Sequence, residues 1–181
     1  MDSTPTTRRA FVKAAALGAA ACAADSAWAA GEATRAGGVQ SFVSEGLGRI
    51  VILRFDRGAK LREGIRDKLQ ELGIRNAVLL SAIGTFEKAR FHRIKNTNPR
   101  AEDEIIEIEG PMELASVAGI VADGEPHFHM VFQDLNRAYA VHLEDGSVVC
   151  YLAEVVLAEL KGIELSRVRN QLGVPMLQKK G

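Results

Sequence analysis

The segment from Gly124 to Leu160 constrains the fold most, because it combines apolar runs, a polar turn and three of the chain's four histidines. His127 and His129 are separated by one residue, so on a β-strand both imidazoles lie on the same face. Asp134 to Arg137, between apolar runs, is typical of a turn. A chain reversal within that turn places His142 opposite His129, and such pairs have Cβ atoms roughly 4.5–5.5 Å apart. The sequence therefore predicts a hairpin with three imidazoles on one face.

These three histidines are candidate ligands for a single divalent metal ion. Imidazole suits Zn, Cu, Fe and Ni, and three neutral ligands leave one position of a tetrahedral ion open. Zinc is the metal that this geometry favours, with nickel as the alternative. Ligand imidazoles are usually held by acceptors around them, and three glutamates are candidates for that role: Glu113, Glu125 and Glu154. A strand with two polar outward positions and no metal is the alternative interpretation of a His-x-His pair.

Two further residues with aromatic rings, His92 and Tyr139, are predicted to have structural roles. His92 lies between Phe91 and Arg93 in a segment rich in cations and is predicted to be a surface residue. Tyr139 precedes His142 by three positions, so it faces the opposite side of the strand. We therefore interpret Tyr139 as a packing or subunit-contact residue.

The same segment resembles the PPC domain, the domain conserved between plants and prokaryotes. The resemblance is carried by Gly124, Pro126, His127, His129, His142-Leu143, Glu144 to Val149 and Ala153 to Val156. It extends upstream through Ser81 to Thr85 and Glu113 to Ser116, and covers the chain from about Arg49 to Leu160. The family usually has two glycines before the third histidine, where this chain has Ala140-Val141.

The resemblance implies an α+β fold and a homotrimer, and relatives are often provisionally labelled DNA-binding proteins. Plant members join the domain to segments with an Arg-Gly-Arg-Pro core, which this chain does not contain. DNA binding is therefore not expected here, despite the label.

The N-terminus predicts export. Thr7 to Lys13, with Arg8-Arg9 at its centre, reproduces the twin-arginine motif. An alanine-rich segment and the small-x-small site Ala27-Trp28-Ala29 follow. We expect residues 1–29 to be a signal peptide, residues 30–40 a linker and residues 41–181 the PPC-like domain, located in the periplasm or otherwise exported.

Charge and composition limit the classes of partner that the protein is expected to bind. Cleavage after Ala29 removes three basic and two acidic residues from 23 of each, leaving 20 and 21, a net charge near −1. A domain with that balance has no global field that attracts polyanions. A local basic cluster is either a solvated face or a site for a small anionic ligand: Lys88, Arg90, Arg93, Lys95 and Arg100. We expect no membrane span in the mature protein, because the chain has no run of about 18 strongly apolar residues.

The pattern of elements predicts an α+β domain with a mostly antiparallel, curved sheet and one or two helices. One amphipathic helix is expected over residues 60–72, and a short second helix over 163–172. Strands are expected over 49–55, 76–83, 86–96, 104–109, 112–122 and 147–161, besides the hairpin, with Gly84 and Gly110-Pro111 as interruptions. The core is expected to consist mainly of Val, Ile, Leu and Ala, since aromatic residues make up only 6% of the chain.

Two classes of function remain open. A metal-binding module for a small ligand needs only the three histidines and an open coordination position. A zinc-dependent hydrolase or hydratase would also need a general acid or base, and no residue has a spacing that compels that role. The sequence favours the module and leaves the enzyme as the alternative.

Overall fold

The computed structural model describes residues 38–100 and 102–181, and residues 40–181 form a compact unit. The predicted signal peptide over residues 1–29 and most of the predicted linker lie outside the described residues. The elements run in the order β1 (Gly46–Asp56), α1 (Leu61–Glu71), β2 (Ala77–Ile94), β3 (Asp103–Ala122), β4 (Glu125–Gln133), β5 (Ala138–Leu143), β6 (Val148–Lys161), β7 (Leu165–Arg169) and β8 (Pro175–Lys179). Within these ranges, no helix is long and apolar enough to cross a membrane.

Six strands form one antiparallel sheet in the order β1-β6-β2-β3-β4-β5, and β7 pairs with β8 in a separate hairpin. The end of β2 also pairs with β5, with Phe91 opposite Leu143 and His92 opposite His142. Because β5 bonds to both β4 and β2, this part of the sheet curls back on itself. The predicted α+β class with a mostly antiparallel curved sheet is confirmed.

The helix packs its apolar side against the sheet. Leu61, Ile65 and Leu69 are fully buried, as their spacing predicted, while Leu72 is left outside the helix and is 42% exposed. Four phenylalanines are also completely or almost completely buried in the same core: Phe86, Phe91, Phe128 and Phe132. The core nevertheless consists mainly of Val, Leu, Ile and Ala, as the composition predicted, because these types make up 22 of the 29 buried hydrophobic residues among those that the structure describes.

Three predictions about element boundaries are wrong. Residues 163–172 contain strand β7 instead of a second helix. Gly84 does not interrupt β2, and a Cβ at this position would lie 2.5 Å from the carbonyl oxygen of Leu152. The glycine thus allows β2 and β6 to approach closely.

Gly110-Pro111 does not end β3 either. The pair Lys88–Glu109 is followed by Phe86–Met112, so two residues of β3 lie opposite one residue of β2. This is a β-bulge, which accommodates the proline without ending the strand.

Candidate metal centre

The hairpin formed by β4 and β5 brings the three predicted ligands together. His129 lies directly opposite His142, in the register expected from the turn. The ring centroid of His142 lies 5.1 Å from that of His129 and 4.8 Å from that of His127. The centroids of His127 and His129 are 5.6 Å apart. One ring nitrogen from each residue lies within 4.8 Å of the others. His127 and His142 are half-buried and His129 is exposed, so the cluster opens to solvent on one side.

Side chains alternate between the two faces of β4, so the histidine cluster lies on one face and the core on the other. Phe128, Met130 and Phe132 are buried, while His127 and His129 lie on the opposite face. Packing of the apolar face therefore fixes the position of the imidazoles, which gain their common orientation from the strand itself.

A fourth histidine belongs to the same face, contrary to the prediction that His92 is a surface residue. The β2–β5 pairing places it beside His142, with the two rings stacked at 4.2 Å and only 21° from parallel. Its Nδ1 donates to Glu144, whose Oε1 is 2.5 Å away, and its side chain is 22% exposed. An ionised carboxylate only accepts hydrogen bonds, so Nδ1 carries the proton in this pair, and the neutral ring then has its lone pair on Nε2.

Glu144 could have been found from the sequence, but His92 could not. Glu144 follows His142 by two residues, the same spacing that relates His127 to His129. The position of His92 depends on a pairing between residues 50 positions apart, and no local pattern indicates that pairing.

The electrostatic environment keeps two of the candidate ligands neutral. Burial lowers the pKa of His127 to about 4, and the nearby positive charge of Arg167 acts in the same direction. Burial also lowers the pKa of His142 to about 3, together with the neighbouring His92. Neutral imidazoles offer a lone pair to a metal ion, so the site needs no proton release from these two rings at neutral pH.

None of the three glutamates proposed as surrounding acceptors has a hydrogen bond to a histidine among the described residues. Glu125 is 3.9 Å from Arg66 across a solvent-exposed ion pair, and Glu113 lies opposite Gln133, four residues beyond His129 along β4. Glu154 is on β6, between Arg54 and Ile83 in the neighbouring strands. The carboxylate that does contact a histidine of the cluster is Glu144.

Two of the five cations of the predicted basic cluster pair with carboxylates among the described residues. Lys88 pairs with Glu107 at 2.6 Å, and Arg93 pairs with Glu104 at 2.9 Å. Arg90 donates to the carbonyl oxygen of Asp145 at 3.3 Å. The partners of these three cations are therefore groups of the protein itself.

The donor set fits a borderline metal ion. Three neutral nitrogen donors converge on one open face, which matches the ligand preference of zinc and of neighbouring first-row metals. A second group, His92, His142 and Glu144, has ligand atoms equally close together and shares His142 with the first. Imidazole and carboxylate donors together could also hold a divalent ion.

Solved structures with the same fold include two archaeal proteins. A metal-containing protein from Archaeoglobus fulgidus is 28% identical, with a TM-score of 0.67 over 77% of this chain and 99% of that chain. A plant- and prokaryote-conserved (PPC) protein from Pyrococcus horikoshii is 25% identical, with a TM-score of 0.65 over 79% of this chain and 99% of that chain.

A third structure, from Bacteroides thetaiotaomicron, is provisionally named a DNA-binding protein. It is 17% identical, with a TM-score of 0.62 over 75% of this chain and 96% of that chain, and shows a common fold only. No protein in the curated collection matches the chain significantly. The family model of the Plants and Prokaryotes Conserved (PCC) domain matches residues 43–161, which include the whole sheet core and every histidine. The chain therefore belongs to the Plants and Prokaryotes Conserved domain family, the PPC family that its histidine segment resembles.

Proposed function

We propose that this protein is a metal-binding module that holds a divalent ion, zinc by preference, through His127, His129 and His142. The observation that carries the proposal is the convergence of three ring nitrogens within 4.8 Å on one face of one hairpin. A similar archaeal protein is described as metal-containing, which supports the assignment. Three protein ligands leave a coordination position for a small ligand.

Metal analysis of protein purified without a nickel column tests the proposal. Wild-type protein is expected to retain close to one equivalent of metal, and a variant with His127, His129 and His142 all changed to Ala is expected to retain none. Val131→Ala is the matched control, because Val131 lies on the same face of β4 and is 40% exposed. Equal metal content in the wild type and the triple variant would refute the assignment.

Assembly into a homotrimer is a second part of the proposal. The outer face of β1, β2 and β6 leaves several large apolar side chains about half or more exposed: Ile50, Ile52, Leu80, Ile83 and Leu152. A contiguous apolar surface of this kind is usually covered by another subunit. Sedimentation equilibrium is expected to give three times the monomer mass, and Ile52→Arg should shift the protein toward monomer. A monomeric wild type would contradict this part.

An enzymatic role is the second candidate function, favoured by the His92–Glu144 pair. A metal ion with an open position can supply Lewis acidity for hydrolysis or hydration. His92, with Nδ1 held by Glu144 and Nε2 free, is a suitable proton acceptor beside such a position. Hydrolysis of an ester panel that is lost in His92→Gln, with metal content unchanged, would establish this candidate.

Export to the periplasm is proposed from residues 1–29, which lie outside the described residues. Cell fractionation of wild-type chain and of a variant with Arg8→Lys and Arg9→Lys tests it. The wild type should appear in the periplasm at the mass of residues 30–181, and the variant should remain inside. Retention of both forms in the cytoplasm would contradict export.

Binding to DNA is not part of the proposed function. Phosphate neutralisation by Lys and Arg supplies most of non-specific DNA affinity, and the mature chain has nearly equal numbers of basic and acidic residues. A gel-shift titration of the cleaved protein at physiological salt should show no complex at micromolar concentration. A salt-dependent shift would overturn this expectation.

A further inference from the structure

The β7–β8 hairpin covers one end of the face that carries the histidines. Leu165 is buried in a small cluster with Ile120 and Ala122 of β3, and Ile120 is the residue directly opposite His127. Leu165 and Arg167 lie on the same side of β7, since only Ser166 separates them along the strand. Arg167 therefore lies on the side of β7 that packs against the histidine face, and its positive charge acts on His127.

Arg167 is held there without a partner for its charge. Its Nε is buried and has no hydrogen-bond partner among the described residues, and no ion pair of this part of the chain includes it. A buried donor without a partner costs free energy comparable to a lost hydrogen bond. The position is thus costly for the protein alone, and a bound acceptor would relieve that cost.

A second guanidinium reaches the same end of the hairpin from the helix. Arg62 donates through Nη2 to the carbonyl oxygen of Pro126 at 2.9 Å, directly before His127, and it pairs with Asp145, three residues after His142. Its side chain is 15% exposed, and its Nε is also buried without a partner. The positive charges of Arg62 and Arg167 both act on His127.

The charges around the site do not balance once a metal ion is bound. The imidazole ligands add no negative charge, and Asp145 is shared between Arg62 and Arg66. Glu144 adds one negative charge beside His92, which a divalent ion outweighs, and Arg167 has no carboxylate partner in the described ion pairs. A divalent cation next to an uncompensated guanidinium is a strongly positive, partly desolvated site. Such a site favours an anion over a neutral ligand of the same shape.

We propose that the small ligand of the metal centre is a carboxylate, coordinated at the open position and held by the guanidinium of Arg167, with Arg62 bordering the site. This inference rests on the proposed metal-binding function and names its ligand class. Carboxylate oxygens are accepted ligands of zinc, and the planar fork of a guanidinium matches the two oxygens of a carboxylate.

The test uses the full mature protein loaded with cobalt(II), whose visible absorption reports on coordination. Acetate is titrated as the probe, and acetamide serves as a neutral molecule of the same shape. Acetate is expected to change the cobalt spectrum in a saturable manner, and acetamide is expected to bind at least tenfold more weakly. Arg167→Met should weaken acetate binding by about 10- to 100-fold, as for loss of a charge-assisted hydrogen bond.

Two further variants separate the contact from net charge and from folding. Arg167→Lys retains the charge and is expected to lose less affinity than Arg167→Met. Lys179→Gln removes one positive charge from the exposed end of the same hairpin and should leave acetate affinity unchanged. Equal acetate affinity in wild type, Arg167→Met and Lys179→Gln would overturn the inference.

Failure of the metal assignment gives a different result. If cobalt(II) produces no spectrum with wild-type protein, the proposed function and this inference both fall. If cobalt(II) binds normally but acetate and acetamide bind equally, the carboxylate ligand is refuted and the metal centre stands.

Discussion

The two faces of strand β4 differ in what holds their side chains in place. On one face Phe128, Met130 and Phe132 are completely buried against the helix and the rest of the core. On the other, His127 and His129 are half-buried or exposed and face an open cluster. The comparison teaches that the core face carries the stability of the hairpin, whereas the histidine face carries its chemistry. Four experiments test whether the two faces have these separate roles.

The largest expected effect comes from the core face. Phe128→Ala should lower the free energy of unfolding by about 3–5 kcal/mol, because it removes a fully buried ring and leaves a cavity. His129→Ala, the next residue, should leave metal-free stability within about 0.5 kcal/mol, as expected for an exposed side chain. Urea denaturation of both variants without metal measures the difference. Similar losses in the two variants would show that the faces are not separable.

Bound metal should make the histidine face stabilise the folded state, whereas without metal this face should contribute little to the free energy of unfolding. A ligand that binds only the folded state at 100 times its Kd stabilises that state by about 2.7 kcal/mol. Removing zinc with a chelator should therefore lower the Tm of the wild type. The triple His→Ala variant should show the same Tm with and without zinc, and a chelator effect in that variant would place the metal elsewhere.

A smaller loss of stability is expected from a substitution in β3 at the point where its backbone lies against that of His127. Gly119 has φ +146°, and a Cβ there would overlap the carbonyl oxygen of His127. Gly119→Ala should cost about 1–3 kcal/mol and reduce metal affinity, since β3 and β4 would be forced apart beside the ligand. Gly110→Ala is the matched control, because Gly110 also has positive φ (+132°) but no atom within 4 Å of the added methyl. Equal metal affinity in the two variants would show that the steric contact does not reach the site.

The fourth experiment concerns the pH dependence of the metal-free protein. The pKa values of His127 and His142 are lowered to about 4 and about 3 in the folded state, from 6.5 in an unfolded chain. The unfolded state therefore binds more protons below pH 6.5, and stability should fall as the pH drops from about 6.5 toward 4. Above pH 6.5 these two groups should contribute no slope.

Urea midpoints at pH 7, 6, 5 and 4.5 measure the pH effect, and His142→Gln should reduce the decline. Four carboxylates also have a lowered pKa, so their protonation destabilises the folded state in the same direction, mainly near the lower end of this window: Asp123, Asp134, Asp145 and Glu159. An unchanged midpoint between pH 7 and 5 in the wild type would contradict the prediction.

Local patterns were sufficient for much of the fold. The stripe of Leu61, Ile65 and Leu69 predicted the helix, because its spacing matches the helical period. The strand β4 and its turn into β5 were also readable, since alternation and the Asp-Asn turn act within a few residues. The boundary errors at Gly84 and Gly110-Pro111 have a common reason. Glycine and proline break isolated strands, but a neighbouring strand can accept them at a close approach or a bulge.

The sequence by itself determined which face the three histidines share, because side-chain direction alternates along a strand and the turn sets the register of His129 with His142. The same rule would also place Glu144, two residues beyond His142, on that face, although the predicted acceptors were Glu113, Glu125 and Glu154 instead. Only the tertiary structure decided that His92 stacks on His142 and that β7, which carries Arg167, packs through Leu165 against β3. Those contacts depend on the β2–β5 pairing and on the packing of Leu165 against β3, which join distant segments. Sequence periodicity carries no information about such pairs, because they are chosen by burial of the whole core.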